Sequence, residues 1–389
     1  MKILHLFSDW KWTGPSEPIV NLCKELERRG HEVIFAYRKP PFPVEDSLEK
    51  RVRERNVRSI DFFSLNRPIR PYSFSSIKDN FSDIINLTEY LRQEKFDIIN
   101  VHQSHDHILG GIAARRCHSS IVVIRSDHKR DSIEPSLGNR FLISRFTDGI
   151  ITFSEIGKIK LSKNFGIPSE RVGKINPALD LEKYQLSKEF KDMRATFGIQ
   201  KDELIIGMVA RFQKYRRTEI FLEALKLIIK EFPKVKLLLV GRSSQMDESV
   251  IKPMKRLGIE SWVILGGYRT DDYIDTLACM DIFVFLMAGS DGTARALREA
   301  MAMGKPSIVA DRGMLAELVD NGGSGFVVKD SPDELSQATL KLLRDSELRK
   351  KMGQAAYEKA RREFRMDRQA EAVEKFYQEI IKLGPWKKD

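Results

Sequence analysis

Cysteine is scarce. The 389 residues hold three, Cys23, Cys117 and Cys279, an odd number with no C-x-x-C spacing. Neither a disulfide framework nor a cysteine-bound zinc is supported, and burial in a core is the simpler role. Long apolar runs are absent as well. The longest, such as Ile282 to Ala288, fall far short of the ~20 residues that span a bilayer, and the opening MKILHLF is too short for a signal peptide, so a soluble cytoplasmic chain is expected. There is no polybasic tail, which speaks against non-specific nucleic-acid binding, and no recognition helix or aromatic-basic motif stands out. No G-x-G-x-x-G follows the first strand pattern, and no D-x-D pair is present to hold a diphosphate-bound cation.

What is present is a packed, mildly basic chain. Hydrophobic residues make up 42% and charged residues 31%, a globular composition, and at ~150 residues per domain the length suggests two or three domains. The net charge of +11 invites a polyanionic partner, yet it is diffuse: 29 cations face 23 acids in 1–180, and 37 face 32 in 181–389. Along the chain, short apolar strand patterns alternate with helical ones. KILHLFS, the loop DWKWTGPSEP, the helix IVNLCKELERRG and the strand HEVIFAY make a βαβ beginning, and FDIINVH, SSIVVIRS and DGIITFS continue it. A polar stretch from about Ile175 to Gln200 marks a passage between domains. A second series follows, with strands in ELIIGMVA, KVKLLLVG, WVILGG, DIFVFLMA, PSIVA and GFVVK. Such alternation predicts two parallel sheets, each covered on both faces. The charged segment from Ser331 to Leu383 reads as helical. Its last helix, about Asp367 to Lys382, carries Ala370, Val373, Phe376, Ile380 and Ile381 at helical spacing, and that face is expected to pack back on the first domain.

Ligands of open α/β sheets bind at the carboxyl ends of strands, often beside helix N-termini. The segment LMAGSDGTARALREAMAMGK at 286–305 offers such a place: a strand ending at Ala288, small residues, and a helix starting near Thr293. Asp291 lies just before that helix and Glu299 about two turns into it. A phosphate there is held by amides and the helix dipole, while a carboxylate further on accepts bonds from sugar hydroxyls. On spacing alone, Asp291 as a cap residue and Glu299 as a solvated helix residue remain equally open readings.

The stretch SDGTARALREAMAMGKPSIVA resembles the Glu, seven residues, Glu signature of the group 1 retaining glycosyltransferases of the GT-B fold, with Asp291 in place of the first acid. MVARF at 208–212 with Arg216 is similar to that family's phosphate-binding pair, in which a lysine stands where this chain has Arg216. INPALDLEKY at 175–184 resembles its interdomain segment, and NGGSGFVVKD at 321–330 the loop and strand after the signature. The resemblance covers nearly the whole chain. It implies two doubly wound Rossmann-like domains facing each other across a cleft: 1–180 on the acceptor side, 181–366 on the donor side, and 367–389 as the returning helix. It also implies a nucleotide-sugar donor held by Arg211, Arg216, Asp291, Glu299 and the backbone of Gly292, Thr293 and Ala294, with Glu299 taking the ribose hydroxyls. Lys214 and Arg217 are competing choices for the cation at Arg216. Gly14, in WTGPSEP, matches the family's first glycine loop. His102 takes the place of a histidine that contacts the donor sugar, with His105 as runner-up and His128 at another strand end.

The tract VHQSHDH has no familiar zinc spacing, so neither metal nor cofactor is expected. Arg51, Arg53, Arg55, Arg58, Arg67 and Arg70, interleaved with Phe62, Phe63, Tyr72 and Phe74, form a candidate surface for an anionic acceptor or an anionic leaflet, unless they are simply a solvated face. The expectation is thus a metal-independent hexosyltransferase acting on a glycan or lipid-linked sugar, in lipopolysaccharide or related envelope synthesis, cytoplasmic or peripheral on the inner face of the plasma membrane, with no nucleic-acid partner. A nucleotide-sugar epimerase on the same fold and a non-catalytic sugar- or nucleotide-binding relative are the competing readings.

Overall fold

The computed structural model describes residues 1–389 apart from Thr13, Pro43, Glu45, Asp46, 67–73, 118–119, 290–292 and 387–389, and apart from the side chains of 74–76. The chain divides into two compact units, Met1–Ala178 with Met366–Asp389 (unit 1) and Leu179–Arg365 (unit 2).

Unit 1 is built on seven parallel strands: β1 (Lys2–Phe7), β2 (Glu32–Tyr37), β3 (Ser59–Ile60), β4 (Ile98–Val101), β5 (Val122–Ser126), β6 (Gly149–Thr152) and β7 (Val172–Lys174). Their order is β3-β2-β1-β4-β5-β6-β7. Side chains alternate across the pleat, so Ile3, Phe7, Val33, Phe35 and Ile124 fill one face while Leu4, Leu6, Ile34, Ile99 and Val123 fill the other. The first face is covered by the helices Ser16–Arg28 and Met366–Leu383, the second by Phe74–Glu94 and Ser104–Arg116. The helix Met366–Leu383 buries Ala370, Val373, Phe376, Tyr377 and Ile380. Ile381, expected on that stripe, is 38% exposed, because the buried stripe runs through Tyr377. Gly149 and Gly173 make room for this helix: a Cβ on either would meet Ile380 or Phe376 at 3.0 Å.

Unit 2 has six parallel strands: β8 (Leu204–Val209), β9 (Val235–Val240), β10 (Val263–Gly267), β11 (Ile282–Phe285), β12 (Ser307–Ala310) and β13 (Gly325–Val328), in the order β10-β9-β8-β11-β12-β13. In both sheets the order reverses beside the first strand, between β1 and β4 and between β8 and β11. Loops leaving the carboxyl ends of those pairs diverge to opposite faces, and the crevice they leave is where open α/β sheets take ligands.

No helix of the described residues is long and apolar enough to cross a membrane.

Candidate functional site

At the reversal point of unit 2, β8 ends at Val209 and the chain turns through Ala210–Arg217. Gly241, after β9, permits that turn: its φ is +141°, and a Cβ there would lie 1.9 Å from the Ala210 carbonyl oxygen. Arg211 follows, exposed, with no ion-pair partner among the described residues. Arg216 is only 8% exposed, and its Nη1 donates to the Met287 carbonyl oxygen at 2.7 Å. Met287 belongs to the loop after β11, so this guanidinium bridges the loops on either side of the crevice. The neighbouring cations behave differently. Arg217 sits in the left-handed region (φ 63°) and pairs with Asp330 at 2.8 Å, an acid it shares with Arg312, while Lys214 is exposed. Of the three candidate cations, Arg216 is the one turned into the crevice.

The helix expected from Thr293 runs from Arg295 to Ala302. Ala294 is in the left-handed region (φ 46°, ψ 40°), which holds the helix start two residues later and costs on the order of 1 to 3 kcal/mol for a residue with a Cβ. Thr293 is buried, and within the first turn of the helix the Leu297 amide donates to the Ala294 carbonyl oxygen at 3.1 Å. Asp291 and Gly292 lie outside the described residues.

Glu299 is not a solvated helix residue. It is 3% exposed, and its Oε1 accepts from the Tyr184 hydroxyl at 2.9 Å and from Arg295 Nε at 2.7 Å, while its Oε2 accepts from the Tyr273 hydroxyl at 2.5 Å. Burial, with this carboxylate beside it, pushes the Tyr273 phenol well above its ordinary range, so it stays a proton donor. Tyr184 comes from the segment that follows the crossing into unit 2. Neither tyrosine was singled out by sequence reasoning: Tyr184 closes INPALDLEKY, read only as an interdomain segment, and Tyr273 lies in DDYIDTL, read only as a helix.

In unit 1, Gly14 lies in the turn between β1 and the helix that begins at Ser16. Across the reversal point, His102 directly follows β4. It is 3% exposed and both ring nitrogens are engaged: Nε2 lies 3.0 Å from His5 Nδ1, and Nδ1 lies 3.0 Å from His128 Nε2. The three imidazoles therefore form a continuous hydrogen-bonded row across β1, β4 and β5. A row of neutral imidazoles leaves one N–H over at one end, at His5 Nε2 or His128 Nδ1, and both atoms are buried without a hydrogen-bond partner. Burial pulls His5 and His128 from the ordinary 6.5 down to about 3 and His102 well below it. In this arrangement a sugar hydroxyl reaches a His102 nitrogen only by displacing a neighbouring imidazole.

His105 is half-buried on the helix Ser104–Arg116, and His107 is buried with Nε2 at 2.7 Å from Thr147 Oγ1. Asp106 fastens this edge, accepting from the backbone N–H groups of Ser8 at 2.7 Å and Gln103 at 2.9 Å. The Gln103–Asp106 capping spacing could have revealed it in the sequence. Arg125, the fourth residue of β5, is buried with Nε and Nη1 unpartnered, and burial lowers its pKa against the opposing charges of Asp127 and Asp106. Among the described residues no three His, Cys, Asp or Glu side chains converge as a metal site requires.

The arginines of 51–58 do not form a free basic surface. Arg51 pairs with Glu54 at 3.2 Å, Arg53 with Glu49 at 2.5 Å, Arg55 with Glu17 at 3.8 Å and Arg58 with Glu32 at 2.8 Å. Phe63 is buried and Phe62 exposed. Arg67, Arg70 and Tyr72 lie outside the described residues, as does the side chain of Phe74.

Residues 14–183 match the family described as Glycosyltransferase Family 4, and residues 189–359 the family described as Glycosyl transferases group 1. The N-acetyl-alpha-D-glucosaminyl L-malate synthase of Bacillus anthracis is 25% identical over 368 residues, 93% of this chain and 92% of that one. The UDP-Gal:alpha-D-GlcNAc-diphosphoundecaprenol alpha-1,3-galactosyltransferase of Escherichia coli is 27% identical over 299 residues, 74% of this chain and 73% of that one. Anabaena HepE in complex with UDP has a TM-score of 0.79 at 19% identity, covering 97% of this chain and all (100%) of that one. A glycosyltransferase from Rickettsia africae reaches 0.82 at 16% identity, covering 98% of both. At such identities these structures establish the fold, the two-domain α/β arrangement called GT-B. With one family match on each unit, the chain is a glycosyltransferase and belongs to the group 1 family.

Proposed function

We propose that the protein moves a sugar from a nucleotide-sugar donor held by unit 2 to a hydroxyl of a glycan or lipid-linked acceptor held by unit 1, with retention at the anomeric carbon and without a metal ion. The observation that carries this reading is the reach of Arg216 across the crevice of unit 2 to the Met287 carbonyl oxygen, with Arg211 exposed two residues after β8 and the helix Arg295–Ala302 following β11. Two guanidiniums and a helix N-terminus supply the positive field that a departing diphosphate needs, in a preorganised form that requires no reorientation as charge develops. Guanidinium also binds phosphate oxygens in a bidentate way that an ammonium does not. Asp291 and the backbone of Gly292, Thr293 and Ala294 face the sugar and diphosphate, Glu299 takes a ribose hydroxyl, and Gly14 lets the first loop of unit 1 come close to the donor.

In the transfer, the bond from the anomeric carbon to the diphosphate oxygen breaks and a bond to the acceptor oxygen forms on the same face. The acceptor proton passes to the leaving phosphate, so no side-chain base is assigned. His102 serves in orienting the sugar through the row it forms with His5 and His128. The buried guanidinium of Arg125 favours an acceptor that carries an acid, in keeping with the L-malate and diphospholipid named for the two relatives. A cytoplasmic place in envelope polysaccharide or lipopolysaccharide synthesis fits such an acceptor.

The test incubates the protein with radiolabelled UDP-sugars, with and without envelope lipid extracts, in EDTA. Acceptor-dependent product is expected, with Arg211→Ala and Arg216→Ala each lowering the rate ~100-fold or more. Conversion of donor to an isomer without acceptor, or full activity in both variants, would refute the assignment.

A further inference from the structure

Two neighbouring helices of unit 1, Leu137–Phe146 and Glu155–Phe165, turn apolar side chains to solvent. Leu137 is 88% exposed, Phe141 59%, Ile156 41% and Ile159 60%. In each helix the pair is three or four residues apart, so each forms a single stripe, and the helices pack against one another. Cations flank these stripes, Arg140 and Arg145 on the first helix and Lys160 and Lys163 on the second, while Lys158 lies on the far side of its helix. Among the described residues none of the five lies within ion-pair distance of a carboxylate, in contrast to the four paired arginines of 51–58. The acids nearby are few. Glu155 starts the second helix, Glu134 precedes the first, and Asp131 is held by Arg130 at 2.5 Å.

Between the segment 131–135 and the second helix runs a groove of about 610 Å³, lined by Ile133, Pro135, Ile156 and Ile159, by Lys160 and Lys163, and on the segment's side by Asp131 and Glu134. Its position follows from the topology. The segment leaves the carboxyl end of β5, and the second helix starts just past the carboxyl end of β6, at the edge that carries His102 and His128.

We propose that this face seats unit 1 on an anionic phospholipid leaflet. The four apolar side chains enter the headgroup region, and Arg140, Arg145, Lys160 and Lys163 meet lipid phosphates. Lysine is depleted in the cores of protein interfaces, whereas a face of Leu, Ile and Phe alternating with Lys and Arg is the pattern of surfaces that lie in a membrane interface. Docking there brings a lipid-linked acceptor to the edge of unit 1 without lifting its tail from the bilayer. That last consequence rests on the proposed function, while the docking rests on the surface alone.

The experiment is sedimentation of the full chain with phosphatidylcholine vesicles, with and without phosphatidylglycerol, at low and moderate salt. Partitioning should require phosphatidylglycerol and weaken with salt. Each cation near an anionic surface contributes about fivefold, so Lys160→Gln and Lys163→Gln together should lower partitioning on the order of 25-fold. Leu137→Ser with Phe141→Ser should abolish it in a protein whose circular dichroism and UDP-induced thermal shift match the parent, and Arg51→Gln with Arg53→Gln should leave it unchanged. Equal binding to neutral vesicles, no binding, indifference to the lysine variant, or a self-association abolished by the Leu137 and Phe141 changes would overturn the proposal. The UDP shift reads the donor site separately, so loss of vesicle binding with the shift intact is a failure of docking and not of the glycosyltransferase reading.

Discussion

Replacing Tyr273 by Phe removes one donor from Glu299 and almost no volume. A carboxylate offers about four acceptor positions, and three are filled, two on Oε1 by Tyr184 and Arg295 and one on Oε2 by Tyr273. One position on Oε2 is therefore left for a ribose hydroxyl, and Tyr273→Phe makes it two. A hydrogen bond to a charged group contributes about 1.5 to 3 kcal/mol net. Tyr273 is half-buried and belongs at the lower end, while Tyr184 is buried and belongs higher. At roughly 2 to 4 °C per kcal/mol for a unit of this size, Tyr273→Phe should lower the melting temperature by about 3 to 6 °C, and Tyr184→Phe by somewhat more. UDP affinity, measured by titration calorimetry, should stay within about threefold of the parent or improve, since a ligand site has been opened. Glu299→Gln should lose both stability and at least tenfold in affinity, because three donors then face a neutral amide. If Tyr273→Phe melts like the parent yet binds UDP tenfold more weakly, the tyrosine touches the ligand and the count of acceptor positions is wrong.

Acid should destabilise unit 1 early. His5, His107 and His128 are held near 3 in the folded state against 6.5 ordinarily, so the unfolded chain binds more protons between those values, and stability is full above pH 6.5 and falls as the pH drops. Unfolding free energies from urea melts between pH 7 and 5 should fall with a slope of up to about 1.4 kcal/mol per pH unit for each histidine, and His107→Gln should reduce that slope. Gly241→Ala should cost more than about 3 kcal/mol by urea melting, since its Cβ meets a backbone oxygen at 1.9 Å. Ending the chain after Arg365 should leave unit 1 unfolded by proteolysis. Five buried side chains at about 1.5 to 3 kcal/mol each equal a whole domain's net stability. Arg125→Met should raise the acceptor KM at least tenfold without changing UDP affinity, as read by steady-state transfer and calorimetry.

Much of the architecture was legible because its signals are local. Apolar runs bounded by polar loops mark β1, β2, β4 to β6 and β8 to β13, and the motif at 286–305 leads to the loop after β11. The two-residue β3 carries too little pattern to be read, and β7 is hidden behind a proline and a short turn. The start of the helix Arg295–Ala302 was missed because Ala294 adopts a backbone that alanine's propensity gives no hint of. The two tyrosine partners of Glu299 come from residues 115 and 26 positions away, and the His5–His102 contact joins residues 97 apart. Such meetings depend on strand order, which periodicity does not encode. The arginines of 51–58 show the opposite error: the acids of Arg51 and Arg53, at 54 and 49, were in plain sight, while those of Arg55 and Arg58, at 17 and 32, are distant in the sequence.

In the sequence, unit 2 interrupts unit 1, because the helix Met366–Leu383 covers a sheet whose seven strands all precede residue 175. On the ribosome, the face formed by Ile3, Phe7, Val33 and Phe35 emerges first and waits, partly bare, through the synthesis of all of unit 2. Unit 2 has its own strands in one continuous stretch and is free to fold in the interval. The first half of the protein to be made is therefore the last to be finished, and that delay makes it the half most in need of chaperone cover.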